Sequence, residues 1–202
     1  ANLEKTDFVD SFSSYEALLE SCFAEPIISK LKMITKVSGD RIKRRLIMDC
    51  LMSGVNSISK QAERVILPRI ADLVYDVLKL LSSVAPDEGI YFLVLDFVDA
   101  FFRVPLSPAE RHYYVVQYAG RFLQWNRVAQ GSTNGPQAFG RLAALVGRLT
   151  QSAMDGSRAR LHIYTDDPVM AMRGTQDQAD KMTTKAVLLW RCMGLQLAFH
   201  KG

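Results

Sequence analysis

Behind Pro68 the apolar residues Ile70, Leu73, Val74, Val77, Leu78 and Leu81 recur every three or four positions, the repeat of one helical face. Proline suits a first helical turn, so the spacing predicts a helix over residues 68–83. Phe139, Leu142, Val146 and Leu149 behind Pro136 predict a second helix. Ala179, Met182, Ala186, Leu189 and Met193 predict a third, capped by Thr175 and closed by Gly194. Near the start, Ser13-x-x-Glu16 reads as a capping box opening a short helix over residues 15–24, which Pro26 ends.

Runs rich in β-branched and aromatic residues fill the intervals. Residues 31–37 and 42–49 flank the turn signal Ser38-Gly39-Asp40 and read as a strand pair. Residues 91–96 are a short apolar strand, and 112–118 and 121–127 predict a hairpin about Ala119-Gly120. Residues 160–164 and 169–172 are strands around Asp166-Asp167, and 195–199 a last strand. With the 112–127 hairpin set aside as an insertion, residues 91–199 run β-α-β-β-α-β, the ferredoxin-like split order. The expected fold class is therefore α+β, an antiparallel sheet with two helices on one face. In that order the first and third strands are antiparallel neighbours. Asp96, ending the first, then lies beside Asp167, opening the third.

Composition narrows the chemistry. The chain has 202 residues, 49% hydrophobic and 23% charged, with a net charge of +4, which excludes a disordered polar tail. No apolar run approaches the ~18 residues of a membrane span, and the first thirty residues lack the basic and apolar regions of a secretory signal. Cys22, Cys50 and Cys192 are scattered and odd in number, as are His112, His162 and His200. That argues against disulfides and zinc, and for a reducing, intracellular setting, cytoplasmic or nuclear. A catalytic metal here would be held by oxygen.

Charge is unevenly spread. Up to Pro26 six acids outnumber the single base Lys5; then Lys30, Lys32, Lys36, Arg41, Lys43, Arg44 and Arg45 stand against Asp40 alone. Such a run is either a solvated face or a footprint for phosphate or nucleic-acid backbone. Asp166-Asp167 has two readings as well. It is a polar hairpin turn, or, with Asp96, a carboxylate cluster that stays ionised only around a cation. Hard oxygen donors select Mg²⁺ or Mn²⁺, and two such ions ~3.5–4 Å apart form the clamp of nucleotidyl transfer.

The residues around these acids resemble, in order, the motifs of reverse transcriptases, most closely those of retroviruses and long-terminal-repeat retroelements. Residues 95–106, Leu-Asp-Phe-Val-Asp-Ala-Phe-Phe-Arg-Val-Pro-Leu, resemble the first palm motif. Residues 130–139, Gln-Gly-Ser-Thr-Asn-Gly-Pro-Gln-Ala-Phe, resemble the second, and Tyr164-Thr165-Asp166-Asp167 matches the Tyr-x-Asp-Asp box. Gly194-Leu195-Gln196-Leu197 with His200-Lys201 resembles the fourth. Upstream, residues 45–49 with Asn56 resemble the fingers motif, and residues 67–73 the approach to the palm.

This resemblance implies an RNA-directed DNA polymerase core from a retroelement polyprotein. Its partners would be an RNA or DNA template-primer and dNTPs, with no membrane, and its cofactors two Mg²⁺ (or Mn²⁺). Asp96, Asp166 and Asp167 would be the catalytic triad and, with the Phe97 carbonyl, the metal ligands; Lys201 would protonate pyrophosphate. Arg45 would grip the triphosphate, helped by Lys36 or Lys43. Asp99 belongs with the substrate-binding residues, Phe101 would gate the sugar, and Gln130 and Gly131 would meet the nascent pair or template. The implied layout is an acidic arm with a short helix over 1–29, fingers over 30–88 and 107–129, and palm over 89–106 and 130–202, with no thumb.

The sequence departs from the family at Pro168, where an apolar strand residue is usual, at Thr165, and at Ala129, where many relatives have proline. An inactive palm that only binds nucleic acid is the alternative. A nucleotide cyclase is disfavoured by the lack of a Gly-Gly-acid-acid-Phe turn, and an RNA-templated RNA polymerase by Phe101 and Tyr164.

Overall fold

The computed structural model describes residues 7–38, 41–60 and 63–199. Its elements begin with β1 (Val9–Phe12), α1 (Tyr15–Ser21), β2 (Ile28–Ser29), β3 (Leu31–Ser38), β4 (Arg41–Met48) and α2 (Val55–Ile58). Then follow α3 (Ile70–Leu81), β5 (Gly89–Val94), β6 (Val115–Tyr118) and β7 (Arg121–Trp125). The chain continues through α4 (Gly135–Ser152), β8 (Ala159–Tyr164), β9 (Asp167–Gly174) and α5 (Gln176–Cys192). Short 3-10 helices span Ala100–Arg103 and Pro108–Tyr113. The chain divides into two compact units, one of residues 1–63 and 101–138, the other of residues 64–100 and 139–202.

In the first unit a four-stranded sheet runs β1-β7-β6-β2. The β6–β7 hairpin turns on Ala119 and Gly120, both at positive φ (50° and 75°), the type I′ geometry whose twist suits a two-residue loop. Beside it β3 and β4 form a separate ribbon, with Ile34 opposite Arg45 and Lys32 opposite Ile47. Alternation puts Lys32, Ile34, Lys36, Arg45 and Ile47 on one face, and Met33, Val37, Ile42 and Leu46 on the other. Val9, Met48, Cys50, Val55, Tyr114, Val116 and Trp125 make the core, with Phe101 and Phe102 packed against it. Burial pushes the Cys50 thiol up to about 11, so Cys50 is a packing residue and not a nucleophile.

The second unit holds an antiparallel sheet in the order β5-β9-β8. One face is buried through Leu95, Phe97, Met170, Met172 and Ala159. Phe97 meets Phe139 and Trp190 edge-on, at 6.5 and 5.5 Å between ring centres. The Trp190 indole donates to Thr150 Oγ1 at 2.8 Å, and that hydroxyl donates to the Val146 carbonyl, so the polar atoms within this core are paired. The opposite face carries Phe92, Val94, Arg160 and His162. Asp76 of α3 reaches that face, with Oδ2 3.0 Å from His162 Nε2 and Oδ1 3.7 Å from Arg160 Nε.

Several elements differ from the sequence expectation. The helix expected over 15–24 is capped by Ser14, whose Oγ accepts from the Ala17 amide at 3.2 Å. The third helical residue is therefore Ala17, which has no carboxylate to return the bond, and the helix ends at Ser21 as Cys22 turns extended. The helix expected from Pro68 starts at Ile70. Asp72 Oδ2 accepts the Arg69 amide at 2.7 Å and makes the extended Arg69 the cap. Residues 195–199 form no strand. Gly194, at φ 80°, returns the chain beyond the end of β5, and only Leu197 bridges, to Phe97. β1 and β2 were not expected.

Candidate active site

β5 and β9 pair from Gly89↔Gly174 to Val94↔Val169. The register continues past the strand end, since Leu95 N–H donates to the Pro168 carbonyl at 3.2 Å and Phe97 N–H to the Asp166 carbonyl at 2.8 Å. Asp96 and Asp167 thereby fall opposite one another as a non-hydrogen-bonded pair, whose Cα atoms typically lie about 4.5 Å apart with side chains on the same face. Tyr164 faces Asp167 from β8. The expected neighbour relation of Asp96 and Asp167 is thus present in the backbone.

Asp166 occupies the corner. Thr165 and Asp166 are the two loop residues between β8 and β9, and Thr165 has φ 58°. Positive φ at the first loop position alone is the mark of a type II′ turn, which favours glycine there; a β-branched residue in that region is strained. Asp96 is held from the other side too, its carbonyl accepting from Ala198 N–H at 3.0 Å while Val98 N–H donates to Gln196. Phe97 is 2% exposed, so its ring anchors this segment in the core. Asp99 follows in the left-handed region (φ 53°) and is exposed.

Among the described residues no three His, Cys, Asp or Glu side chains are gathered closely enough to hold a metal ion. The donors that the backbone aligns are all carboxylate oxygen, which suits a hard divalent cation rather than a soft one.

The remaining expected residues among those described lie in the first unit. Arg45 and Lys36 are exposed on one face of the β3–β4 ribbon. Phe101 is partly buried against the core of that unit. Gln130 and Gly131 sit on a loop tied to the end of β4, where Met48 N–H donates to the Gln130 carbonyl at 2.9 Å. Gly131 has φ 117°, and a Cβ there would lie 2.0 Å from the Met48 carbonyl oxygen, so only glycine fits. Lys201 lies outside the described residues, and the same holds for the side chain of Lys43.

The sequence reading gave no role to two side chains that support these elements. Asn56 bonds the Gly131 loop through both amide atoms. Gln151 of α4 donates to the Ala159 carbonyl and accepts from the Leu161 amide, at 2.9 and 3.0 Å, covering the free edge of β8. Asn56 stands in the stretch that resembles the fingers motif, but no local pattern gives its partners or marks Gln151, because each partner belongs to a different element.

The family model described as reverse transcriptase (RNA-dependent DNA polymerase) matches residues 29–201. The Gag-Pol polyprotein of avian reticuloendotheliosis virus is 33% identical over 97 residues, 45% of this chain and 8% of that protein. The Pol polyprotein of feline endogenous virus ECE1 is 33% identical over 99 residues, 46% of this chain and 9% of its own length. The matched region is thus under a tenth of either relative. A solved foamy viral protease-reverse transcriptase in complex with double-stranded DNA aligns with 99% of this chain and 29% of its own, at TM-score 0.66 and 16% identity; at that identity it speaks for the fold. With a family match over most of its length, this chain belongs to the reverse transcriptase (RNA-dependent DNA polymerase) family.

Proposed function

We propose that this chain is the polymerising core of a reverse transcriptase within a retroelement polyprotein, adding dNTPs to a primer 3′-hydroxyl under the direction of an RNA or DNA template. The observation that carries the reading is the backbone register that sets Asp96 opposite Asp167, with Asp166 at the adjoining turn. In this reading residues 89–106 and 130–202 form the palm that carries the acids, and residues 30–88 and 107–129 the fingers. The ferredoxin-like arrangement is supported by the β5-β9-β8 order and by the return of residues 196–198 to the free side of residues 96–98.

Asp96, Asp166 and Asp167, with the Phe97 carbonyl, would hold two Mg²⁺ or Mn²⁺. When bound, such ions supply a lowered pKa for the primer hydroxyl and neutralise the triphosphate. Carboxylates this close in the register repel unless a cation lies between them. Arg45 offers a planar fork to the triphosphate from the exposed ribbon, with Lys36 on the same face. Phe101, held by the core, presents a rigid ring to the sugar, and its replacement by Ala would relax discrimination against ribonucleotides. Gln130 meets the nascent pair or the template strand, Asp99 belongs to the nucleotide site, and Lys201 donates the proton to pyrophosphate.

The test is primer extension on poly(rA) with oligo(dT), dTTP and Mg²⁺ or Mn²⁺, using the intact polypeptide that carries this chain. Extension that is lost with Asp166→Asn supports the reading and the role of the acid together. Binding of template-primer without any extension would replace it with an inactive, nucleic-acid-binding palm.

A further inference from the structure

We infer that Asn56 is a positioning residue for Gln130, acting through the loop of residues 130–135; the inference rests on the polymerase reading above. Asn56 Nδ2 donates to the Gly131 carbonyl at 3.2 Å, and its Oδ1 accepts from the Thr133 amide at 2.9 Å. The side-chain amide therefore spans Ser132 and satisfies backbone groups on both sides of it. Among side chains of this length only an asparagine offers one donor and one acceptor in a plane. Serine is too short to bridge two residues, and aspartate has no proton for the Gly131 carbonyl.

Asn56 is itself fixed. It sits on α2 next to Val55, which is 2% exposed in the core of the first unit, and its own amide donates to the Cys50 carbonyl at 2.9 Å. The loop has two further anchors, the Met48–Gln130 backbone bond and a buried contact of 3.1 Å between Tyr114 Oη and Ser132 Oγ. Gly131 permits the close approach of the loop to Met48, and Asn56 determines which way the loop leaves that contact. Gln130 is the residue whose direction depends on this. A side chain that meets a base pair loses its effect when displaced by about 1 Å, and sites on loops need supporting hydrogen bonds to reach that precision.

The experiment is a double-mutant cycle in the intact polypeptide that carries the chain. The dissociation constant of the correct dNTP is measured on a template-primer ended in a dideoxynucleotide, so that no chemistry is required. Asn56→Ala is expected to weaken dNTP binding about five- to tenfold, the size of one or two net hydrogen bonds. Gln130→Ala weakens it similarly, and the double variant is no weaker than Gln130→Ala alone. Asn56→Asp, which keeps the acceptor for Thr133, lies between Asn56→Ala and the wild type and guards against a variant that fails to fold.

Effects that multiply in the double variant mean that Asn56 only stabilises the loop, and they overturn the inference while leaving the polymerase reading intact. Wild-type binding by Gln130→Ala removes the role of Gln130, and this inference with it. A wild-type protein that forms no ternary complex overturns the polymerase reading and this inference together.

Discussion

The amide of Leu95 donates to the carbonyl of Pro168, and proline has no amide to send back. The ladder between β5 and β9 is thus one bond short directly beside Asp96 and Asp167, and β5 ends at Val94 although the register runs on. Pro168 is fully buried, so Pro168→Val nearly conserves packing. The regained bond contributes about 1 kcal/mol, and the loss of the ring's stiffness costs about 0.4–1 kcal/mol through the unfolded chain. Stability by urea denaturation is therefore expected to rise by no more than about 0.6 kcal/mol. Hydrogen exchange is the sharper readout: the new amide should exchange slowly, and loop-like exchange would mean that the pairing does not continue past Val94.

Thr165 carries the strain of the acidic turn. With φ at 58° in the first position of a two-residue loop, a β-branched residue costs roughly 1–2 kcal/mol relative to relaxed backbone. Thr165→Gly removes that cost and adds about 0.5–1 kcal/mol of unfolded-state entropy. A net gain of about 0.5–1 kcal/mol in urea denaturation is expected. A loss in stability would show that contacts of the Thr165 side chain outweigh the backbone term.

What the sequence made legible follows the range of the interaction. The helix repeat at residues 70–81 and the apolar run ending at Leu95 are local patterns, and both elements formed within a few residues of the expected bounds. The Asp96–Asp167 relation was readable because element order alone selects it. β1 was not, since Val9-Asp10-Ser11-Phe12 is too short and polar to announce a strand, and it exists through its pairing with β7. β2 has two residues and pairs in parallel with β6. Asn56 lies 75 residues from Gly131, and His162 lies 86 from Asp76, distances at which no periodicity carries information. The last strand failed for the opposite reason, because residues 195–199 have the composition of a strand yet meet the chain beyond the end of β5.

Gln151 protects the strand that leads into the acidic turn. β8 is an edge strand, and the Gln151 amide supplies one donor and one acceptor to its open side at Ala159 and Leu161. Gln151→Ala leaves those backbone groups to water or unpaired, at an expected cost of about 1–2 kcal/mol. The Leu161 amide should then exchange with solvent far faster than in the parent. Unchanged exchange at Leu161 would show that the strand is held by its partner β9 alone.

Glu88 makes part of the stability dependent on acid. Its carboxylate accepts from the Ala85 amide at 3.2 Å and from Arg158 Nη1 at 2.7 Å, and lies 3.8 Å from Arg173 Nε. The Ala85 amide first, and then the Arg158 hydrogen bond, hold its carboxyl below the usual range. A group whose folded pKa is depressed stabilises above its unfolded value, near ~4.3 for glutamate, and that contribution fades as pH falls through the folded pKa. Arg158 also meets Gln178 at the start of α5, so the network joins the strand ends at the far edge of the sheet from Asp96. Stability by urea denaturation is therefore expected to fall as the pH drops below the ordinary glutamate range and through the lower folded pKa. Glu88→Gln should be less stable than the parent at neutral pH and show a shallower acid limb. Glu16, Asp72 and Asp155 are depressed in the same direction by their own partners, so the limb shrinks without vanishing. An acid limb of unchanged slope in Glu88→Gln would assign the pH dependence to those three carboxylates and leave the Glu88 network as packing.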